Sequence, residues 1–304
     1  MRLNIVITSF NRPTYLQACV ESIVKYTNCE YAITIVRDKS DKVDLSAPMY
    51  EVLAKAYPQV RIVEGTDNYI LTSKNIGIKS QEADYYAEMD DDIFVTKGWI
   101  ENIINVMEEH PEIGLCVPLL TFRGDLFYLR QAAVIPDDLH MGMLDKDNIL
   151  EHIKALHDWH ERTVYLAPSK KPFFSPIEVF EYSLTVKSNR LRPSMLFWDE
   201  MFDKGRNACR ANEDMMFRLE FSGFKAAVVM NSMAFHAQEG SFQKDPRWMD
   251  GYGEAIEYFK IKWADKLEIA DARLRKFVNA GKYQKWQAAM ANMPRGCPKH
   301  SGSA

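Results

Sequence analysis

The chain has 304 residues, of which 47% are apolar and 26% are charged, and its formal net charge at pH 7 is -4. This composition excludes a disordered or fibrous protein, and the length suffices for one large α/β domain or two small ones. The five cysteines lie far apart and include no Cys-x-x-Cys pair, which excludes a disulfide framework and a zinc knuckle and leads us to expect a cytoplasmic protein.

Hydropathy predicts no membrane-spanning segment. The apolar run Leu3–Ile7 at the start is too short for a signal peptide, and no run approaches the roughly 20 apolar residues that cross a bilayer. We therefore expect any membrane contact to be peripheral.

Charge is distributed unevenly along the chain. Residues 1–161 contain 15 Lys+Arg against 26 Asp+Glu, net -11, whereas residues 162–304 contain 23 against 16, net +7. The basic half would suit an anionic partner such as nucleic acid or a lipid surface. An ordinary mixed surface explains the same numbers equally well.

Strands and helices alternate through the first hundred residues. Apolar runs predict strands, and 3.6-residue periodicity predicts the helices after them. The strands are Leu3–Thr8, Tyr31–Val36, Val60–Val63 and a fourth that ends at Asp90, and the helices contain Leu16–Val24, Met49–Tyr57, Asn75–Ile78 and Trp99–His110. This alternation predicts an α/β fold, a Rossmann-like and mostly parallel sheet flanked by helices, with a helical extension at the C-terminus.

Three consecutive aspartates, Asp90, Asp91 and Asp92, follow the fourth strand. Adjacent carboxylates repel one another, so a fold that places three at a strand end usually holds a hard divalent cation there, such as Mg²⁺ or Mn²⁺ carrying phosphate oxygens. A solvated turn is the alternative for an isolated triplet. Apolar residues on both sides, and the helix that begins at Trp99, favour a ligand site at a strand-to-helix switch.

Further polar residues follow the other predicted strands or lie on the helix that faces them. Because parallel strands end at the same edge of a sheet, we expect these side chains to collect there. The set comprises Thr8, Asn11, Arg12, Asp38, Asn75, Asp90 and Asp92.

With these residues in place, the first hundred residues resemble the nucleotide-binding half of the family 2 glycosyltransferases with the GT-A fold. Four motifs carry the resemblance and occur in the family's order: Ile7-Thr8-Ser9-Phe10-Asn11-Arg12-Pro13, Val36-Arg37-Asp38, Lys74-Asn75-Ile76-Gly77 and Met89-Asp90-Asp91-Asp92. Lys74 replaces the usual arginine of the third motif, which keeps the charge but loses bidentate phosphate geometry.

The resemblance implies a metal-dependent, inverting transfer of a sugar from a nucleotide diphosphate sugar, UDP-sugar by default, to an acceptor hydroxyl. It implies that Asp38 hydrogen-bonds the base, that Thr8 and Arg12 flank the nucleoside, and that Asp90 and Asp92 bracket the ribose and the metal-diphosphate. The full nucleotide-sugar-binding set would be Thr8, Asn11, Arg12, Asp38, Lys74, Asn75, Asp90, Asp91 and Asp92. His236 would complete the Mn²⁺ or Mg²⁺ site of Asp90 and Asp92.

Two motifs of the second half also resemble family elements. Phe197–Phe202 resembles the Phe-Asp-Glu-x-Phe element, which implies an acceptor-binding role for Trp198, Asp199 and Glu200. Ala211–Leu219 resembles the Glu-Asp helix start, in which Asp214 would be the general base and Glu213 a positioning residue or the alternate base.

Physical chemistry agrees with a helix start near residue 212. Asn212 is a good N-cap residue, and the helix dipole favours the carboxylates of Glu213 and Asp214 in the first turn. A charge-complemented helix start without catalysis explains the same residues.

We align no motif of the family with residues 136–176 and expect an acceptor-specific insertion there, with a helix at 148–160. Its histidines, His152, His157 and His160, are more simply surface residues than metal ligands. The expected organisation is a nucleotide-sugar-binding half at 1–96, an acceptor-binding half at 97–250, a helical extension at 251–293 and a disordered tail at 294–304.

Two other functions and two acceptor classes remain open at this stage. A sugar nucleotidyltransferase would be expected to open with a Gly-rich phosphate loop, and Ile7–Arg12 contains no glycine. A non-catalytic sugar- or nucleic-acid-binding module would not need the catalytic motifs. The first acceptor class is a hydroxyl of a growing polysaccharide, of a lipid-linked molecule or of a protein. The second is a polyanion such as a hydroxylated base in DNA, which a set of basic residues would attract: Lys170, Lys171, Arg190, Arg192, Arg206 and Arg210.

Overall fold

The computed structural model describes residues 1–38, 45–66, 69–122, 133–134, 164–165, 173–174, 183–205, 208, 210–237 and 251–266. The chain divides into two compact units, Met1–Phe259 and Lys260–Ala304. The predicted helix at 148–160 with its three histidines, and most of the C-terminal extension and tail, lie outside the described residues.

The first hundred and twenty residues contain alternating strands and helices, as the sequence pattern predicts. The strands are β1 Leu3–Ser9, β2 Tyr31–Arg37, β3 Val60–Glu64, β4 Tyr85–Asp90, β5 Ile93–Val95 and β6 Ile113–Phe122. The helices are α1 Pro13–Tyr26, α2 Ala47–Ala56, α3 Ile70–Lys79 and α4 Trp99–Glu109.

The rest of the described chain adds short strands and the elements that complete the sheet. The strands are β7 Ala133–Val134, β8 Val164–Tyr165, β9 Phe173–Phe174, β10 Leu184–Ser188 and β11 Lys225–His236. The helices are the single turn α5 Pro193–Leu196, a 3-10 helix Glu200–Gly205, α6 Ala211–Phe221 and α7 Tyr252–Lys262.

The main sheet is mostly parallel. Its order is β3-β2-β1-β4-β10-β6-β11-β5, with β9 also paired to β11. β1 to β4 pair in parallel, and β6 pairs in parallel with β11. Because β10 runs antiparallel to both β4 and β6, the two parallel groups point the same way and their carboxyl ends meet at one edge.

Burial of apolar side chains on both faces of the sheet holds these layers together. Every residue of β1 is buried, which is typical of a parallel strand covered by helices on both faces. Leu16, Val20 and Ile23 of α1 enter the same core as the strands, and none of the three exposes any of its surface.

One strand is longer than its apolar run suggests. The sequence predicts a strand at Ala226–Met230, but β11 continues to His236 after a register shift between Val229 and Met233. The shift lets the strand bend and carry on, and it brings His236 opposite Ile93 of β5.

The predicted N-cap at Asn212 is wrong. Helix α6 begins at Ala211, and its N-cap is Arg210 in the left-handed conformation with φ 67°. The Asp214 N–H already donates to the Arg210 carbonyl at 2.9 Å, so helical hydrogen bonding starts before Asn212. Glu213 and Asp214 lie in the first turn, as expected.

Gly77 allows α3 to pack directly on the sheet. A Cβ at this position would lie 2.2 Å from Cγ1 of Val6 in β1. Such a contact is far inside van der Waals distance, so only glycine fits where helix and strand approach this closely. This packing explains the glycine of the motif Lys74-Asn75-Ile76-Gly77.

Gly77→Ala should therefore destabilise the fold by about 1–3 kcal/mol, the usual cost of overpacking a core. Urea unfolding monitored by circular dichroism measures the change. Gly253→Ala is the matched control, since a Cβ there meets nothing within 4 Å. An equal response of the two variants would contradict the packing argument.

Candidate active site

The carboxyl ends of the parallel strands assemble the candidate site. Thr8 near the end of β1 lies in register with Asp90 at the end of β4 and with Val36 of β2. The chain then turns through Asp91 and Asp92 and returns as β5, which pairs with the end of β11 at His236. Residues distant in sequence thus meet at one edge of the sheet.

Asp90, Asp92 and His236 form a cluster with the chemistry of a metal site. One carboxylate oxygen from each aspartate and one imidazole nitrogen lie within 4.8 Å of one another. His236 Nε2 is 3.4 Å from Asp92 Oδ1. Two carboxylates and an imidazole are a donor set that fits Mn²⁺ or Mg²⁺, and the sequence predicts the same three residues.

Arg12 neutralises part of the triplet. Its Nη1 donates to Asp92 Oδ2 at 2.8 Å, and its Nη2 forms an ion pair with Asp91. Burial lowers the pKa of Arg12, but the charges of Asp91, Asp92 and Asp90 raise it and leave it above its ordinary value. Arg12 therefore remains charged and holds two of the three carboxylates.

Asp91 is the inward-facing member of the triplet. It is fully buried, and the Phe10 N–H donates to its Oδ2 at 3.4 Å. Burial raises the pKa of Asp91, Arg12 lowers it, and the result is about 7. These contacts give Asp91 a part in holding the turn between β4 and β5.

Lys74 supplies a second cation at the same edge. It lies on α3, is 4% exposed, and its Nζ is 3.2 Å from Asp90 Oδ1. An ammonium is a compact charge without the bidentate geometry of arginine. Lys74 can therefore neutralise an anion here without fixing its orientation.

Asp38 is buried and closely packed, with a partner that the sequence did not predict. The Ser73 hydroxyl donates to Asp38 Oδ1, and a Cβ at Gly65 would lie 2.5 Å from that oxygen. Burial raises the pKa of Asp38 to about 8 from an ordinary value of 3.8. Ser73 is separated from Asp38 by a whole strand and helix, so no local pattern pointed to it.

Asn11 and Asn75, two predicted binding residues, form hydrogen bonds with other segments of the chain. Asn11 has a left-handed φ of 55°, and its Oδ1 accepts the Leu45 N–H at 3.0 Å. Asn75 donates to the Trp198 carbonyl and to Glu200 Oε1, each at 2.9 Å. Asn11 thus joins two segments within residues 1–96, and Asn75 joins α3 to residues 198–200.

The three residues expected to bind the acceptor differ in accessibility. Trp198 is only 4% exposed, and its indole N–H donates to Glu88 inside the protein. Asp199 Oδ2 accepts the Tyr258 hydroxyl at 2.9 Å, and Glu200 is exposed. Glu200 is therefore the most accessible of the three to an acceptor.

Glu213 and Asp214 have different environments at the start of α6. Asp214 is fully buried, and its Oδ2 accepts from Arg218 Nε at 2.7 Å. Arg218 also donates to the Phe197 carbonyl at 2.8 Å. The Glu213 side chain is 24% exposed, with Oε1 2.5 Å from Arg210 Nη1. The Glu213 carboxylate is therefore accessible, and the Asp214 carboxylate is held in place by Arg218.

A match between the sequence and a family model identifies the protein family. The model of Glycosyl transferase family 2 matches residues 4–168, more than half of the chain. The chain belongs to glycosyl transferase family 2. The matched region contains the Asp-Asp-Asp triplet, Arg12, Asp38 and Lys74, so these site residues lie within the family domain.

This family 2 glycosyltransferase also resembles curated proteins over part of its length. It is 26% identical over 112 residues to an uncharacterized glycosyltransferase of Haemophilus influenzae, covering 36% of this chain and 34% of that protein. It is 21% identical over 160 residues to the uncharacterized glycosyltransferase EpsJ of Bacillus subtilis, covering 51% and 44%. It is 27% identical over 124 residues to the minor teichoic acid biosynthesis protein GgaB of Bacillus subtilis, covering 40% and 14%. The matches thus span less than half of each relative.

Solved structures show the GT-A fold of this glycosyltransferase. S. aureus TarS matches with a TM-score of 0.52 and 11% identity over 78% of this chain and 36% of TarS. GalNAc-T7, solved with UDP, GalNAc and Mn²⁺, matches with a TM-score of 0.57 and 16% identity over 77% of this chain and 43% of GalNAc-T7. In the described part of the chain, no helix has the length and apolar character that a bilayer crossing requires.

The raised pKa of Asp38 predicts how the stability of the protein depends on pH. Its folded-state pKa of about 8 exceeds the ordinary 3.8, so ionisation favours the unfolded chain. The contribution of protonated Asp38 is fully present below pH 3.8 and is lost as pH rises through 8.

Asp38→Asn does not titrate, so its stability relative to the wild type should rise between about pH 4 and pH 8. Urea unfolding at several pH values in this window measures the difference. Asp265→Asn, at an exposed position, is the control. A difference that does not change with pH would show that Asp38 ionises normally.

Proposed function

We propose that this chain is a metal-dependent, inverting glycosyltransferase that transfers a sugar from a UDP-sugar to a hydroxyl group of a saccharide acceptor. The cluster of Asp90, Asp92 and His236 at the edge of the sheet carries the proposal. Lys74 and Arg12 lie against the same carboxylates, so anion-binding and metal-binding groups are collected in one place.

Asp90, Asp92 and His236 would hold the metal. When bound, Mn²⁺ or Mg²⁺ would neutralise the negative charge that a nucleoside diphosphate gains as it leaves the sugar. The GalNAc-T7 structure, which was solved with UDP and Mn²⁺, supports these choices of nucleotide and metal.

The remaining residues of the nucleotide half would bind the donor. Asp38 would hydrogen-bond the base, with Thr8, Asn11 and Arg12 around the nucleoside. Lys74 would meet the diphosphate as a point charge beside Asp90. Arg12 would in addition keep Asp91 and Asp92 close together in spite of their like charges.

The Glu213–Asp214 pair would supply the base that removes the proton of the acceptor hydroxyl. Asp214 is the first candidate, because Arg218 holds its carboxylate in a fixed direction. This role requires that an acceptor reach a group that is buried in this structure, whereas Glu213 is already accessible. One base and a direct displacement imply inversion at the anomeric carbon.

A saccharide is the acceptor that we favour over DNA. Of the basic residues that suggested a polyanion, Arg190 donates to the Met107 carbonyl at 2.7 Å and Arg210 pairs with Glu213. The curated relative that is named for teichoic acid biosynthesis supports an acceptor other than DNA. Lys170, Lys171 and Arg206 lie outside the described residues.

Metal dependence is tested by thermal shift with UDP in the presence and absence of Mn²⁺. UDP with Mn²⁺ at 100 times its Kd should stabilise the wild type by ~2.7 kcal/mol. Asp92→Asn should lose this stabilisation and its turnover while remaining folded, because it removes a proposed ligand. The control Asp265→Asn should behave as the wild type. Undiminished UDP binding by Asp92→Asn, or in excess chelator, contradicts the assignment.

The base is tested by comparing Asp214→Asn with Glu213→Gln. Asp214→Asn should lower kcat by ~10²–10⁴ with little change in UDP affinity, since proton transfer is lost and donor binding is kept. Initial rates and UDP titrations on the same preparations separate these effects. A larger loss of kcat in Glu213→Gln would reverse the two roles.

A further inference from the structure

Asp203 caps a helix that lies far from it in sequence. It is 3% exposed, and its carboxylate accepts the Leu71 N–H at 2.9 Å, the Thr72 N–H at 2.6 Å and the Thr72 hydroxyl at 2.7 Å. Helix α3 has no capping hydrogen bond from its own N-cap, Tyr69. Asp203 therefore satisfies donors at the start of α3 and places a negative charge where the helix dipole favours it.

The same short segment holds the middle of α3. Asn75 accepts the Trp198 N–H at 2.8 Å and donates to the Trp198 carbonyl at 2.9 Å. It also donates to Glu200 at 2.9 Å. We call residues 198–203 the bracing segment, because it contacts α3 at Leu71 and Thr72 and again at Asn75.

The bracing segment also contacts strand β4. The Trp198 indole N–H donates to Glu88, which precedes Asp90 by two residues. Glu88 Oε1 is 2.6 Å from Lys187 Nζ, and neither side chain is exposed. Lys187 Nζ lies 4.2 Å from the centre of the Trp198 ring. Removing one partner of a buried ion pair destabilises a protein. Glu88 and Lys187 therefore hold the contact with Trp198 firmly.

Helix α3 and strand β4 carry the two partners of a single ion pair in the site. In α3, Lys74 follows Thr72 and precedes Asn75, both of which contact the bracing segment. In β4, Asp90 lies two residues after Glu88, which contacts Trp198. Lys74 Nζ and Asp90 Oδ1 are 3.2 Å apart. The bracing segment thus contacts both of the elements that carry this ion pair.

We propose that Asp203 is a positioning residue for donor binding, which acts by holding α3 so that Lys74 meets the diphosphate of the nucleotide sugar. This inference rests on the proposed function, because it takes the diphosphate as the anion at Lys74. Asp203 is buried and holds the first turn of α3, two residues before Lys74. Ser73 of the same helix donates to Asp38, so the double-mutant cycle below has to separate a route through Lys74 from one through Asp38. The bracing segment, which contains the acceptor-binding candidates Trp198, Asp199 and Glu200, would then join acceptor-binding residues to the helix that carries Lys74.

Asp203→Asn is the principal test, since it removes the charge and keeps one accepting oxygen. The Kd for UDP with Mn²⁺, measured by titration calorimetry, should rise about fivefold to tenfold, because α3 would no longer hold Lys74 against the diphosphate. The kcat at saturating donor should stay within about twofold. Asp84→Asn is the matched control, because Asp84 also accepts a backbone N–H, from Arg2 at 2.7 Å, and should leave the Kd unchanged.

A double-mutant cycle distinguishes positioning from a general loss of stability. If Asp203 acts through Lys74, Asp203→Asn should weaken UDP binding very little in a Lys74→Met background. Thr72→Val removes one hydrogen bond to Asp203 and should raise the Kd by about twofold to threefold. It supplies the same information if Asp203→Asn does not fold.

The outcomes separate this inference from the proposed function. If the wild type binds no UDP with Mn²⁺, the proposed function fails and this inference fails with it. If the wild type binds and the folded Asp203→Asn or Thr72→Val variant binds equally well with a lower Tm, only this inference is overturned. Additive losses in the double mutant also overturn it, since they place Asp203 on a route that does not pass through Lys74.

Discussion

Repulsion among three adjacent carboxylates is the constraint on which the site depends. Asp91 and Asp92 are almost fully buried, and Asp90 is partly buried beside them. Buried like charges are unfavourable unless cations or hydrogen bonds compensate them. Arg12 and Lys74 provide that compensation at opposite ends of the triplet. The fold must therefore bring the start of α1 and the middle of α3 against the end of β4, where the proposed donor would need positive charge.

Packing and polar contacts between distant segments keep these cations in place. Gly77 lets α3 approach β1 so closely that no side chain fits between them. Hydrogen bonds with the bracing segment also hold this helix, from Asp203 to its first turn and from Trp198 to Asn75. The helix that carries Lys74 is thus fixed by apolar contact on one face and by buried polar groups on another.

The geometry supports the proposed metal ligands more directly than the proposed catalytic base. Asp90, Asp92 and His236 converge although His236 follows the triplet by more than a hundred residues, because β5 and β11 pair at their ends. Asp214 and Glu213 share a helix start but differ in burial and in their arginine partners. Kinetic measurements therefore decide which of the two carboxylates is the base, and which acceptor is used.

The sequence by itself determined the α/β class, the order of strands and helices, and the residues at the strand ends, because apolar periodicity and short motifs are local properties. The tertiary structure decided what those residues contact. It brought Ser73 to Asp38, buried Trp198 against Glu88, and made Asp203 the cap of α3. Each of these contacts joins residues from different elements, and only the packed sheet brings such residues together. No sequence pattern shows which distant residues come into contact.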